Sequence, residues 1–585
     1  MIQSLLILSP ILFSLLLLRI NLIARNILSI LFVVMLSSFS LFNFISLDSP
    51  VSILFPHYFH NIFILLDYLV LLFFLWSGVV KKHLLVTLLA LLQIVLYSGI
   101  LLLKPTLLSS DILVDNLSSI MYLIINIVGG IIIIYALEYI ESEKLSRMKK
   151  NGFISLLFLF LGIMNFIVSS NNIEVFFLLF ELTTLFSYLL IGYRKDELSI
   201  QNALQALWMN QLGGVAILIA LFFSIMKYNT TYFDVLMANI DPTFLLPIVL
   251  LVIAAFVKGA SIPFEKWLLG AMVAPTPVSA ILHSATMVKI APYLILKLSF
   301  VMSGFVSISI TLIGTFVFFS ASLLALSKDY FKEILGLSTI ALLALMMALA
   351  AIGSEQAMNA ALILMVFHAI SKALLFLQVG ILEKNFHLKY VSDIDGLINR
   401  SPLVTFFIII GFASLTLPPF GAFVAKFMAI ESIANEITKN PLYALVLVFI
   451  ALGSVFLTLL YFKVLTKLFA KDVDYKQESL KISKYYTLPS FALLALLVIG
   501  IYVIFTMGLL SGAELIVPTV LVSLVPLLFA TLTFKNAHRV KEYNCGEKEE
   551  IELAMFYFNI SHRLQKLIYS VAIFGIIILL FGVLL

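Results

Sequence analysis

The chain has 585 residues, of which 62% are hydrophobic and only 11% charged, with a formal net charge of +5 and a mean hydropathy of +1.15. Soluble globular chains carry roughly 45–50% apolar and about 25% charged residues. A water-soluble domain is therefore excluded, and so is disorder, which needs low hydrophobicity and high charge. The apolar runs are continuous and about 20 residues long, unlike the alternating segments of about ten residues that build a transmembrane barrel. An all-α polytopic membrane protein is what remains.

In chain order, spans are predicted near 3–18, 27–46, 62–80, 84–103, 112–137, 153–170, 173–193, 204–226 and 243–270. They continue near 279–298, 303–326, 334–352, 357–382, 402–434, 441–466, 485–508, 513–533 and 564–585, about 18 transmembrane helices in all. The first span lacks the basic n-region and small-residue cleavage site of a signal peptide, so it is expected to remain in the mature chain. Of the 36 Lys and Arg, 27 fall on alternate loops and the span ends beside them, beginning with Arg19 and Arg25. Lys144 to Lys150, Lys467 to Lys484 and Lys535 to Lys566 are the densest groups. The opposite loops hold Lys104, Lys227 and Lys439. The positive-inside rule then predicts both termini outside, in a cytoplasmic membrane.

Six lysines lie inside spans, where each charge costs at least about 2.5–3.5 kcal/mol at mid-membrane. Lys297 and Lys463 sit near span ends, where snorkelling explains them. Lys258, Lys289, Lys372 and Lys426 have apolar sequence on both sides or adjoin a helix break. Glu181 is deep within FFLLFELTTLFSYLLIGY and needs a partner or water. His368 and Lys372, four apart, share one helical face, and His283 precedes Lys289 by six residues. Haem is a competing use for two buried histidines, but a two-haem b-type protein would need four. One cysteine, Cys545, cannot supply the about four ligands of an iron–sulfur cluster. The sequence offers no metal cluster, nucleophile–base set or phosphate loop, and nothing points to nucleic acid.

Two spans are interrupted. Lys258 precedes a break at Gly259 to Pro263, and a break at Pro418, Pro419 and Gly421 precedes Lys426. Proline removes a backbone donor, and such breaks survive in a membrane only where protein or water satisfies the freed groups. Either could be a simple kink. The order of lysine and break is reversed between two spans that run in opposite directions, as in an inverted repeat with discontinuous helices. The expected organisation is extra helices over 1–110, a core over 111–470 with inverted five-helix repeats at about 153–298 and 303–466, and C-terminal helices over 471–585.

FELTTLFSYLLIGY, KGASIPFEKWLLGAMVAPTPVSAILHSATMVK, FKEILGLSTI, HAISKALLFL and TLPPFGAFVAKF occur in this order. Together they closely resemble the antiporter-like subunits of respiratory complex I, Mrp-type cation/proton antiporters and membrane-bound energy-converting hydrogenases, over about residues 110–470. MVKIAPYLILKL and the tail containing YNCGE look most like the large antiporter-like subunit of energy-converting nickel–iron hydrogenases. NQLGG also places Gly214 where distal complex I subunits tend to carry an acid. The resemblance implies that Glu181 pairs with Lys258, that His283, His368 and Lys372 form a central relay, and that Lys426 ends a second half-channel; Lys289 is a further candidate on the translocation route. It implies translocation of protons or sodium ions, driven by electron transfer in partner membrane and peripheral redox subunits of a prokaryotic complex. Iron–sulfur clusters and a nickel–iron site are expected in those partners and no cofactor in this chain. Alternatives are a subunit of a stand-alone Mrp-type antiporter and a non-conducting structural subunit.

Overall fold

Several helices start where the sequence supplies a side-chain cap, because the first N–H groups of a helix have no intrahelical partner. Asn21, Asp115, Asn172, Asp196 and Ser354 accept from the backbone N–H of Ala24, Ser118, Glu174, Ser199 and Ala357. The structure, a computed structural model, describes residues 2–103, 105–302, 304–469, 482–506 and 560–584. The predicted span 513–533, Cys545 and most of the basic segment after Lys535 lie outside the described residues.

The first helices are α1 (Ile2–Leu17), α2 (Leu22–Ser46), α3 (His57–Val80) and α4 (Leu84–Ile100). A short antiparallel pair, β1 (Val51–Ile53) and β2 (Ile112–Val114), ties their loops to the rest. α5 (Asn116–Leu123) runs through a π-helical turn into α6 (Gly129–Glu141), and α7 (Arg147–Ser169), α8 (Ile173–Ile191) and α9 (Glu197–Tyr228) follow. The short α10 (Phe233–Asn239) leads to α11 (Leu246–Lys258), which breaks before α12 (Lys266–Gly270). α13 (Thr276–Ala280) and α14 (Ile290–Leu298) form one irregular span. Next come α15 (Gly304–Leu326), α16 (Phe331–Ile352), α17 (Glu355–Ile381) and the short α18 (Leu397–Arg400). A second broken span consists of α19 (Pro402–Thr416) and α20 (Gly421–Ile437), and α21 (Leu442–Leu468), α22 (Lys484–Thr506) and α23 (His562–Leu584) complete the described chain.

The chain is thus an all-helical polytopic membrane protein. Among the described residues, 14 helices are long and apolar enough to cross a membrane, and α1, α4 and α11 are shorter apolar helices at predicted spans. The α13–α14 span and α16 are buried throughout, whereas α22 and α23 leave most of their surface to the outside. Lys289 therefore sits on, and Lys372 bonds to, a helix that is buried throughout.

The alternate basic loops converge on one face of the bundle. Arg25 and Lys150 both pair with Glu141, and Arg194 and Lys384 both pair with Glu143. Lys332 pairs with Glu383 and Lys467 with Asp395. Burial alone would raise the Glu143 carboxyl, but Lys384 and Arg194 hold it below its ordinary value of 4.5. Its contribution is full above that value and fades as pH falls through the lower folded pKa. Melting temperature should therefore fall less for Glu143→Gln than for the unsubstituted protein on acidification below about 4.5. Thermal unfolding in detergent across that pH interval checks this.

Candidate functional site

The two helix breaks explain two of the buried lysines. After α11, Ala260 takes a left-handed backbone (φ 53°), sparsely populated for a side chain with a Cβ. Gly259 is required there because a Cβ would press on Ala291 and Met347. The Val257 carbonyl at the break accepts from the Trp267 indole at 2.9 Å. At the second break Pro419 cannot donate to Leu415, and Lys426 Nζ does so at 3.2 Å. Both interruptions are separate helical segments whose freed groups are met by protein. Lys426 also lines an open cleft of about 370 Å³ with Phe423, Ile430, Thr458 and Leu459. Lys426→Met should orphan the Leu415 carbonyl and destabilise the protein by about 1–3 kcal/mol, read as a lower melting temperature of the purified protein.

Lys258 ends α11 fully buried. Its Nζ donates to Thr183 and Thr184 Oγ1, each at 3.1 Å, and to the Phe180 carbonyl at 3.3 Å, and lies 3.7 Å from the Phe180 ring centroid. Glu181 lies on the same turn of α8 but makes no ion pair with Lys258 within 4.0 Å. Its Oε1 accepts from Gln93 Nε2 on α4 at 2.7 Å, and its Oε2 has no hydrogen-bond partner among the described residues. Glu181 and Lys258 are thus neighbours in one polar pocket, held apart by different partners. Gly214 is the residue that makes room: a Cβ there would overlap Glu181 Oε1 and Gln93 Nε2.

The central residues come together from three helices. Lys289 Nζ lies 2.7 Å from His368 Nδ1, and one turn along α17 Lys372 Nζ donates to the Leu335 carbonyl at 3.1 Å and to Ser338 Oγ. All three are fully buried. A cationic ammonium must donate to Nδ1, which leaves the imidazole proton on Nε2, a nitrogen without a partner among the described residues. His283 occupies a π-helical turn with neither ring nitrogen bonded among the described residues, 6.2 Å from the Trp267 ring and 6.1 Å from Phe376. It stands between the Lys258 pocket and the α17 residues. From α17 the polar line continues through Ser371 to Ser414 at 2.6 Å, on the helix that ends at the second break.

Lys297 and Lys463 differ from these. Lys297 donates to the Ser170 carbonyl at 2.9 Å, and Lys463 to the carbonyls of Leu326 and Lys328 at 3.0 and 2.6 Å. Both cap helix ends, but Lys297 is buried and its ammonium does not reach water as snorkelling from a span end predicts. Reading the sequence missed Gln93, the Thr183–Thr184 cradle and Ser338. Their only signal was polar residue type inside an apolar helix.

A family described as "NADH:quinone oxidoreductase/Mrp antiporter, TM" matches residues 170–456. A second, "NADH-Ubiquinone oxidoreductase (complex I), chain 5 N-terminus", matches residues 106–147. The chain belongs to this complex I/Mrp antiporter-like family of membrane subunits. Among its relatives are the Na(+)/H(+) antiporter subunit A1 proteins of Staphylococcus aureus strains JH9, Newman and N315. Each is 32% identical over 399 residues, covering 63% of this chain and 49% of the relative. The chain therefore spans about half the length of the curated relatives it matches.

Proposed function

We propose that the chain is a proton-translocating subunit of a multisubunit complex in the cytoplasmic membrane of a prokaryote, with its basic loops inside. The observation that carries this reading is the buried row itself. Glu181, Lys258, His283, Lys289, His368, Lys372 and Lys426 are all buried, and most carry a hydrogen-bonding neighbour on a different helix. Removing so many charges from water is costly, and a purely structural helix bundle gains nothing from them that apolar residues would not supply.

Motion of the Glu181 carboxylate toward Lys258 would favour the ammonium, and its withdrawal toward Gln93 would release a proton toward His283 and the Lys289–His368 pair. Lys372 and Lys426 would pass it on to the cleft beside α20. The helix neighbours correspond between the two proposed repeats: α8–α9 and α9–α11 in one, α16–α17 and α17–α19 in the other. That correspondence supports an inverted repeat with its two half-channels opening to opposite faces.

Two driving forces are compatible with this row. The MVKIAPYLILKL and YNCGE segments favour coupling to electron transfer, with iron–sulfur clusters and a nickel–iron site in peripheral partner subunits. The names of the Staphylococcus aureus relatives favour exchange of sodium for protons. Inverted membrane vesicles holding the complete complex separate them. Acidification on addition of an electron donor, abolished by loss of the redox subunits, supports the first. Dissipation of an imposed pH gradient by added sodium, without any electron donor, supports the second. A complex that moves no protons under either drive overturns translocation.

A further inference from the structure

The translocation row leaves a second buried polar cluster unused, on the α3–α4 pair that precedes the residues matched by the family. α4 presents two rungs to α8. Gln93 holds Glu181, and Tyr97, one turn further along the same face of α4, donates its hydroxyl to Glu174 Oε1 at 3.0 Å. Glu174 and Glu181 are two turns apart on one face of α8, so the rungs are stacked along the bundle. Asp67 of α3 faces the same Tyr97 hydroxyl. It is 1% exposed, and neither carboxyl oxygen has a well-formed hydrogen bond among the described residues.

Tyr97 has one proton, and it is given to Glu174. An ionised Asp67 would then face the lone pairs of the tyrosine oxygen with nothing to accept, a costly arrangement for a buried carboxylate. A protonated Asp67 donates to that oxygen and resolves the conflict. The cluster reaches water at its other end. His60 lies two turns above Asp67 on α3, its side chain 27% exposed, with Nε2 3.7 Å from Asp111 Oδ1. Asp111 is itself fixed by the Phe55 N–H and Asn172. This end belongs to the face opposite the basic loops.

We infer that α3 and α4 form a proton-access path between that opposite face and Glu181, running from His60 through Glu174, Tyr97 and Asp67. The inference rests on the translocation reading above. The elementary step is a double transfer. The Asp67 carboxyl gives its proton to the Tyr97 oxygen while the Tyr97 hydroxyl proton passes to Glu174, leaving Asp67 ionised, Tyr97 neutral and Glu174 protonated. The reverse step brings a proton inward. Asp67, ionised in turn, draws the next proton from the side of Glu181. Gln93 is a positioning residue in this scheme: it fixes which way the Glu181 carboxyl points.

The test uses the intact complex in vesicles, with proton flux read by a pH-sensitive dye and infrared difference spectra recorded on the same preparations. Tyr97→Phe and Asp67→Asn should each lower flux at least about a hundredfold, the lower end of what a positioned proton donor contributes, and Asp67→Glu should recover most of it. The protonated-carboxyl band of the unsubstituted complex should be lost in Asp67→Asn and kept in Tyr97→Phe. Unchanged flux in both Tyr97→Phe and Asp67→Asn, or an infrared spectrum that Asp67→Asn leaves intact, overturns the path. An unsubstituted complex that moves no protons counts against translocation instead, and the infrared comparison still decides whether Asp67 holds a proton.

Discussion

Lys258→Met should abolish proton movement by the complex while leaving it assembled. Methionine fills nearly the same volume as the lysine stem, so the substitution avoids the cavity that alanine would leave, which costs about 2–5 kcal/mol for a large buried side chain. The Thr183 hydroxyl keeps a partner, since it also donates to the Phe180 carbonyl at 2.7 Å. Thr184 does likewise at 3.1 Å. Fold and charge are therefore separable at this position. What is removed is the ammonium that shares a pocket with the Glu181 carboxylate, and a positioned proton carrier contributes roughly 10²–10⁴-fold. Dye-monitored flux in vesicles, alongside the amount of assembled complex, gives the reading. Flux above about a tenth of the unsubstituted value in a fully assembled complex would remove Lys258 from the route.

Gly214→Ala should be nearly as damaging for a different reason. Its new methyl would occupy the place of Glu181 Oε1 and crowd Gln93 Nε2, forcing the carboxyl off its hydrogen bond. Overpacking of this kind costs about 1–3 kcal/mol, and the displaced carboxyl would no longer report to Lys258 from its present position. The pair of effects should be coupled to Gln93. In the double substitution Gly214→Ala with Gln93→Ala, the space vacated by the glutamine amide lets the carboxyl swing aside. Part of the lost thermal stability should return, giving an interaction energy of about 0.5–3 kcal/mol in a double-mutant cycle. Strictly additive losses would mean that the glycine is needed for helix packing and not for the carboxyl.

Much of this was readable from residue order alone. The price of burying charge singled out Lys258, Lys289, Lys372 and Lys426 and set Lys297 and Lys463 apart, and the structure gives the second pair capping roles at helix ends. Glycine and proline marked both helix breaks, and the four-residue spacing put His368 and Lys372 on one face. The contacts between distant helices were not readable. Lys289 and His368 are separated by 79 positions, and no periodicity specifies which face of α14 meets which face of α17. The pairing inferred between Glu181 and Lys258 is another such case: they share a pocket, yet each bonds to other groups. Gln93 and Asp67 went unnoticed because a single polar residue inside an apolar span carries no pattern. Its meaning comes from the helix packed against it.

The central claim is that protons cross through the buried row, and at the Lys289–His368 contact two of its titratable side chains meet directly, at 2.7 Å. The most direct measurement is proton flux in vesicles containing the complete complex with His368→Phe, compared with the unsubstituted complex under the same driving force. Phenylalanine keeps the ring and removes both nitrogens, so the Lys289 ammonium loses its acceptor at 2.7 Å while the packing of α17 is retained. The row predicts that flux falls at least about a hundredfold with assembly unchanged. Flux equal to that of the unsubstituted complex would mean that protons take another way across.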